Sequence, residues 1–262
     1  MKRLTIPALL IILSILIIFL LYKDLSKKNS VSATVSSTIT ENSMINGVTK
    51  DQIEKIVHNY IAKHPDVILE SIDLLEKQFK QDMLVHMNEY LDTNKDTIED
   101  VTNYPFMGNA DGKVIIVYFY DYNCGYCKKS DQVLKQLVEN DANIKIIFKP
   151  LPLLGALSQY MARIDLAVYA LEPEKFIKIH DDLMKLSDAN QANIDSVLNA
   201  NEINLEKIQN LINSDHISQL IDQDREIAMK LDIKRIPSYI INGTKLFKGF
   251  ADLKTLQGLV DN

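Results

Sequence analysis

Cys124 and Cys127 are the only cysteines among 262 residues, and they stand three apart in the stretch DYNCGYCKKS, residues 121–130. Two thiols at that spacing can exchange electrons with a disulfide, Cys124 attacking as a thiolate and Cys127 resolving the mixed disulfide that forms. Competing chemistries fit less well. Structural zinc needs four ligands, usually with a second Cys or His pair, and His58, His64, His86, His180 and His216 show no such spacing. These histidines read as surface or packing residues. A disulfide kept only for stability would close a loop too short to constrain the unfolded chain much. No metal site and no cofactor is expected, although Cu(I) held by the two thiolates stays open beside redox activity.

Redox work needs one sulfur to be held as an anion, and the flanking sequence offers a means. KVIIVYFY, residues 113–120, is a continuous apolar run rich in β-branched and aromatic residues, as in a strand buried on both faces. From Cys124 onward, CGYCKKSDQVLKQLVEN has helical spacing through Cys127, Val133, Leu134 and Leu137, and NIKIIFKP, residues 143–150, is a second strand. This is a βαβ unit with a parallel strand pair. Cys124 would then sit at the helix N-terminus, where free backbone N–H groups and the helix dipole lower a thiol pKa. Residues 155–232 carry helical patterns broken near Pro173, around 187–191 and near Ser214, giving a helical insertion of roughly four helices. Asn242-Gly243 between two apolar runs predicts a tight hairpin, and a last helix runs from Asp252 to Val260.

The N-terminal hundred residues have a different character. Residues 4–22 are uncharged and as a helix would span roughly 28 Å, close to a hydrocarbon core of about 30 Å. That length favours an uncleaved anchor, whereas Val31-Ser32-Ala33 has the small-residue pattern of a signal-peptide cleavage site. Residues 23–46 are a Ser-, Thr-, Asn- and Lys-rich tether. Thr49 to Gln52 form a capping-box pattern opening a short helix that ends at His64-Pro65. A second helix runs to about Tyr90 with Ile68, Ile72, Leu75, Phe79, Met83 and Met87 on one stripe. The stripe must fold back on the main domain or pack against copies of itself. The chain thus divides into residues 1–22 (signal peptide or anchor), 23–46 (linker), 47–104 (helical segment, a candidate homo-oligomer interface) and 105–262 (the redox domain). Its formal net charge of −6 falls to −9 without residues 1–46, whose five cations outnumber two anions, and this excludes nucleic acid as the main partner.

Three blocks, VIIVYFYDYNCGYCKKS, KPLPLLGALSQYMAR and IKRIPSYIINGTKLFKGF, together resemble a thioredoxin-fold protein of the DsbA type, in the branch with Gly-Tyr between the cysteines. The likeness runs from about Asn109 to Val260. The preceding helices resemble the N-terminal segment of related proteins implicated in suppressing copper sensitivity, which can hold such proteins in oligomers. The fold implied is α/β, a thioredoxin fold with an inserted helical subdomain, preceded by an N-terminal helical segment. The implied activity is thiol-disulfide oxidoreduction in the periplasm, with reduced or misoxidised exported proteins as clients and a membrane redox partner. A cis-proline loop facing the cysteines is implied as well, and the matching residue is Pro237. Arg235 and Ile236 before it would bind substrate; they stand where the family usually has a small residue and Thr. Tyr118 occupies the place, six residues before the nucleophile, where thioredoxins keep a buried acid. Asp121 is a strand-ending or capping residue, or a proton relay in that acid's stead. Disulfide formation is the leading reading, with isomerase or reductase as alternatives and an envelope-anchored copper-binding or interaction protein as an alternative of another class.

Overall fold

The computed structural model describes residues 48–261, so the apolar segment 4–22 and the tether 23–46 lie outside the described residues. Two compact units divide the chain at Gln78/Phe79. In the first, helix α1 (Lys50–Lys63) begins as its sequence requires: Thr49 Oγ1 accepts from the Gln52 N–H at 3.4 Å, and Gln52 Oε1 accepts from the Thr49 N–H at 2.9 Å. No residue of α1 is buried, and its apolar stripe lies open, with Ile56 64% exposed. Helix α2 (Asp66–Thr93) crosses into the second unit, where Met87 and Leu91 enter a core. Among the described residues no helix is long and apolar enough to cross a membrane.

The second unit is built on a five-stranded sheet ordered β1-β3-β2-β4-β5. The expected βαβ unit is present: β2 (Val114–Tyr120), α4 (Gly125–Asn140) and β3 (Ile144–Pro150), with β2 and β3 parallel. Between α2 and β1 lies the single-turn helix α3 (Lys95–Ile98). The short strand β1 (Phe106–Gly108) was not legible in the sequence; three residues without alternation give no period to read, and it pairs antiparallel with the outer edge of β3. On the other side β4 (Ser238–Ile241) and β5 (Lys245–Lys248) form the expected hairpin. Asn242 and Gly243 at its tip both have positive φ, 51° and 66°, the type I′ geometry that this pair favours. The Asn242 side chain also fastens the hairpin to β2, its Oδ1 accepting from the Ile115 N–H at 2.9 Å.

Strand β2 is buried on both faces, and its alternation divides two cores. Ile116, Tyr118 and Tyr120 face the core beneath α4 and the C-terminal helix α10 (Leu253–Val260), while Val117 and Phe119 face the core shared with the end of α2. The helical insertion has five α-helices: α5 (Ala156–Leu171), α6 (Phe176–Met184), α7 (Gln191–Ala200), α8 (Leu205–Ile212) and α9 (Asp215–Lys230). The expectation of roughly four missed the break between α7 and α8. That break contains no Gly or Pro; it is made by Glu202 at φ 57° and by Asn204, whose side chain accepts from the Lys207 N–H at 3.0 Å and caps α8.

Candidate active site

Strand β2 delivers the chain to Asp121, whose buried carboxylate organises the approach to the cysteines. Oδ1 accepts from the Asn123 N–H at 2.8 Å and from Ser158 Oγ at 2.8 Å; Oδ2 accepts from the Leu153 and Leu154 N–H groups at 3.0 and 3.1 Å. Both oxygens are therefore engaged in fixing two loops, as a strand-ending residue would be. The Asp121 carbonyl then accepts from the Cys124 N–H at 3.0 Å, turning the chain into α4.

Cys124 is the N-cap of α4. Its Sγ accepts from the Cys127 N–H at 3.2 Å, the bond that a Ser or Asp oxygen makes at an ordinary helix start. A cap that accepts stabilises the anion. The Cys127 thiol, together with the Cys127 and Tyr126 N–H groups, lowers the Cys124 pKa to about 6 against the opposing effect of burial. Cys127, fully buried one turn inside, is driven the other way: burial pushes its thiol far up, and the adjacent Cys124 adds to the rise. The two sulfurs are thus chemically unequal, one a thiolate at neutral pH and the other a thiol.

The Ile236–Pro237 peptide is cis, as the resemblance implied, and the Ile236 carbonyl oxygen lies 3.8 Å from Cys124 Sγ. Pro237 thus faces the cysteine pair across a sequence gap of more than a hundred residues. Arg235 is exposed and Ile236 half-buried on the same loop. Tyr126, between the cysteines, is 60% exposed and its ring stands 6.0 Å from that of Phe250.

Sequence reasoning missed the groups that hold the first turn of α4 from beneath. Tyr118 donates to the Cys127 carbonyl at 3.0 Å; Tyr239 donates to Ser130 Oγ at 2.7 Å, and Ser130 donates to the Tyr126 carbonyl at 2.9 Å. The place of the thioredoxin acid is thus filled by a phenol that hydrogen-bonds backbone. Ser130 lay in plain view, three residues after Cys127 on the buried face, but a lone Ser in an amphipathic helix carries no signal of its own. Nor was the charge network one residue further along anticipated. His180 is buried, its Nε2 3.0 Å from Asp131 Oδ1 and its Nδ1 2.7 Å from the Tyr122 hydroxyl. Tyr122 also donates to Asp165 Oδ1, and Tyr120 to Asp165 Oδ2 at 2.6 Å. Burial alone would lower the His180 pKa, but the Asp131 and Asp165 carboxylates outweigh it and raise it to about 9. It is a packing residue, as expected, but a charged one.

With this geometry in hand, comparison with known proteins is specific. The DSBA-like thioredoxin domain family matches residues 115–261, and the copper resistance protein ScsC N-terminal domain matches residues 50–81. The thiol-disulfide exchange protein alpha-DsbA2 from Wolbachia pipientis is 35% identical with a TM-score of 0.61, covering 67% of this chain and 94% of that one. A periplasmic thioredoxin-like protein from Salmonella enterica serovar Typhimurium is 26% identical with a TM-score of 0.58, over 64% and 93% of the two chains. Disulfide bond formation protein D from Bacillus subtilis (strain 168) is 23% identical over 168 residues, 60% of this chain and 75% of that one.

Two outcomes follow from the electrostatics. Thiolate absorbance of the reduced protein near 240 nm will titrate with a midpoint near pH 6. In Cys127→Ala the transition will remain but move to higher pH, because the thiol donor is lost while the backbone N–H groups stay, and in Cys124→Ala it will vanish. Because the folded-state pKa of His180 is raised from 6.5 to about 9, its contribution to stability is complete below pH 6.5 and is lost as pH rises through 9. In a Cys124→Ser/Cys127→Ser background, which removes the opposing thiol titration, urea denaturation should show stability falling by up to about 3 kcal/mol over that window. His180→Gln should remove that dependence.

Proposed function

Because this chain belongs to the DSBA-like thioredoxin domain family and is therefore an enzyme acting on protein disulfides, we propose that Cys124 and Cys127 are its redox pair and that it forms disulfides in exported proteins. The observation that carries this reading is the capped, lowered Cys124 sulfur set against the Ile236 carbonyl. In the oxidised enzyme a client thiolate attacks Cys124 Sγ, the Cys124–Cys127 bond breaks, and Cys127 leaves and takes a proton. The client's second thiolate then attacks the client sulfur, releasing Cys124. Two electrons have passed to the pair; one of the two client protons stays on Cys127 and the other goes to solvent, since Cys124 remains a thiolate at neutral pH.

Stabilising the Cys124 thiolate stabilises the dithiol form and so makes the disulfide more oxidising. Thiol pKa values near 7 accompany a reductant of about −270 mV, and values near 3.5 an oxidant of about −120 mV. A Cys124 pKa of about 6 argues for a potential between these limits. Pro237 and Ile236 form the client groove. Among the described residues the Ile236 N–H has no hydrogen-bond partner, which leaves it free to pair with an extended client segment in the manner of an added strand. Client disulfides that persist belong to an oxidising compartment. Periplasmic action, with residues 4–22 as signal or tether and a membrane redox partner to accept the electrons, is consistent with this.

The exposed apolar face of α1 and α2 favours a second reading for the first unit, self-association through residues 47–104, which would present several redox sites to one client as an isomerase does.

Cys124→Ala will abolish both insulin reduction and oxidation of a reduced unfolded client, whereas Cys127→Ala will accumulate enzyme–client mixed disulfide. Unchanged turnover in Cys124→Ala would sink the reading, and equilibration with glutathione will place the potential inside the stated interval. For self-association, sedimentation of the protein from residue 47 onward should show an oligomer that Ile56→Glu together with Ile72→Glu converts to monomer; a wild-type monomer would remove the second reading.

A further inference from the structure

The loop that faces Cys124 is cationic in a chain of net charge −6. Lys234 and Arg235 precede Ile236, and Lys248 on β5 lies beside them. One carboxylate serves two of the three: Asp232 Oδ1 lies 2.6 Å from Lys234 Nζ, and its Oδ2 lies 3.8 Å from Lys248 Nζ. Arg235 has no ion-pair partner among the described residues, and it is exposed. Lys248 is pushed below its ordinary pKa by burial first, then by the proximity of Lys234 and Arg235, while Asp232 alone opposes the shift. On the other side of Cys124, Lys129 has its ammonium 5.3 Å from the Tyr126 ring centre. The remaining charges on the loops around the sulfur are occupied. Asp121 is saturated by four donors, Lys128 donates to the Leu186 carbonyl, and Asp252 caps α10 through the Thr255 N–H. A surplus of positive charge therefore borders the position where a client strand would pair with Ile236.

We propose that this rim, with Arg235 at its centre, selects client segments that carry carboxylates beside the reacting cysteine. The proposal rests on the reading of Cys124 as the exchanging sulfur and of Ile236 as the pairing backbone. An extended segment lying across Ile236 carries its neighbouring side chains past Arg235 and Lys234, so an Asp or Glu there gains an unpaired guanidinium. The negative charge of the chain as a whole works against an acidic client, but screening limits it: at physiological ionic strength fields decay over about 8 Å, so the contact charges decide. The exposed Tyr126 and Phe250 rings offer apolar contact that any client can use and do not discriminate by charge. An Arg at this position also has a fixed fork suited to a carboxylate, which a Lys lacks.

The test uses the oxidised protein and two reduced dithiol peptides that differ only in having Glu or Lys on both sides of the first cysteine. The wild type should oxidise the Glu peptide about tenfold faster than the Lys peptide at low salt, with the ratio approaching one in strong salt. Arg235→Ala should cut the ratio, and Arg235→Glu with Lys234→Glu should invert it. Lys207→Glu, the same charge reversal as Arg235→Glu at an exposed position of α8, should leave it unaltered. Comparing one peptide across variants cancels its intrinsic thiol reactivity, and an unchanged 240 nm titration of Cys124 shows that the effect does not pass through the thiolate. Equal rates for both peptides, or a ratio that Arg235→Glu leaves unmoved, would overturn the rim while leaving Cys124 as the exchanging sulfur. Absence of exchange with either peptide would overturn the underlying reading instead.

Discussion

A sulfur atom caps α4, and the site depends on that substitution of sulfur for oxygen. The acceptor at an N-cap is normally a side-chain oxygen, and it satisfies backbone donors that the helix cannot. With Cys124 Sγ in that place, 3.2 Å from the Cys127 N–H, the same donors stabilise a thiolate at the helix start. The interaction works only if the turn cannot relax. Asp121 fixes the loop before it with four accepted hydrogen bonds, while Tyr118 and the Tyr239–Ser130 pair hold the carbonyls of Cys127 and Tyr126 from the sheet side. Phenols suit this position because burial raises their pKa further, so they remain neutral donors beside a sulfur anion.

Each face of the sheet also contains a buried charge cluster, and both join the helical insertion to the redox core. On the α4 side, His180 of α6 bridges Asp131 of α4 and Asp165 of α5. On the other side, Lys149 of β3 pairs with Asp224 of α9 at 3.0 Å, both fully buried, with the ammonium 3.2 Å from the Tyr104 ring centre. Burial lowers the Lys149 pKa and raises that of Asp224 to about 6, so desolvation outweighs their attraction in both groups. Such pairs are poor sources of net stability, yet removing one partner strands the other charge. Helices α6 and α9 carry the charged residues that meet these partners, so a shifted register would leave an ion unpaired.

The scaffold was legible wherever a pattern was long or a dipeptide specific. The β2–α4–β3 unit, the Thr49 capping box and the Asn242-Gly243 turn all follow from local chemistry. So does Cys124 at a helix start, since a strand ending just before a C-x-x-C leaves little choice. Pro237 is different. Nothing within a dozen residues of it signals that it faces Cys124, and only likeness to a family located it. The tyrosine and histidine networks were illegible for a related reason. Tyr118 reads as part of an apolar strand and His180 as a surface or packing residue; the Cys127 carbonyl that Tyr118 meets, and the Asp131, Tyr122 and Asp165 groups around His180, are brought to them by the packing of α4, α5 and α6 on the sheet. The missed break at Asn204 shows the limit of relying on Gly and Pro, because a side-chain cap ends a helix as effectively.

The two units differ in what folding alone can supply. The Phe79–Asn262 unit buries two cores on a five-stranded sheet. Helix α1 has fourteen residues and none buried, a length at which an isolated helix is marginal in water. Its capping box and a Lys50–Glu54 pair 3.6 Å apart, both exposed, contribute little against the entropy of ordering the segment. Ile56, Val57 and Tyr60 would therefore have to be covered for the helix to persist. A helix whose stability requires a covering surface makes that surface part of its design, and a second copy of the same helix would supply one. In such an assembly the number of Cys124 sites within reach of one client would be set by residues that take no part in the chemistry.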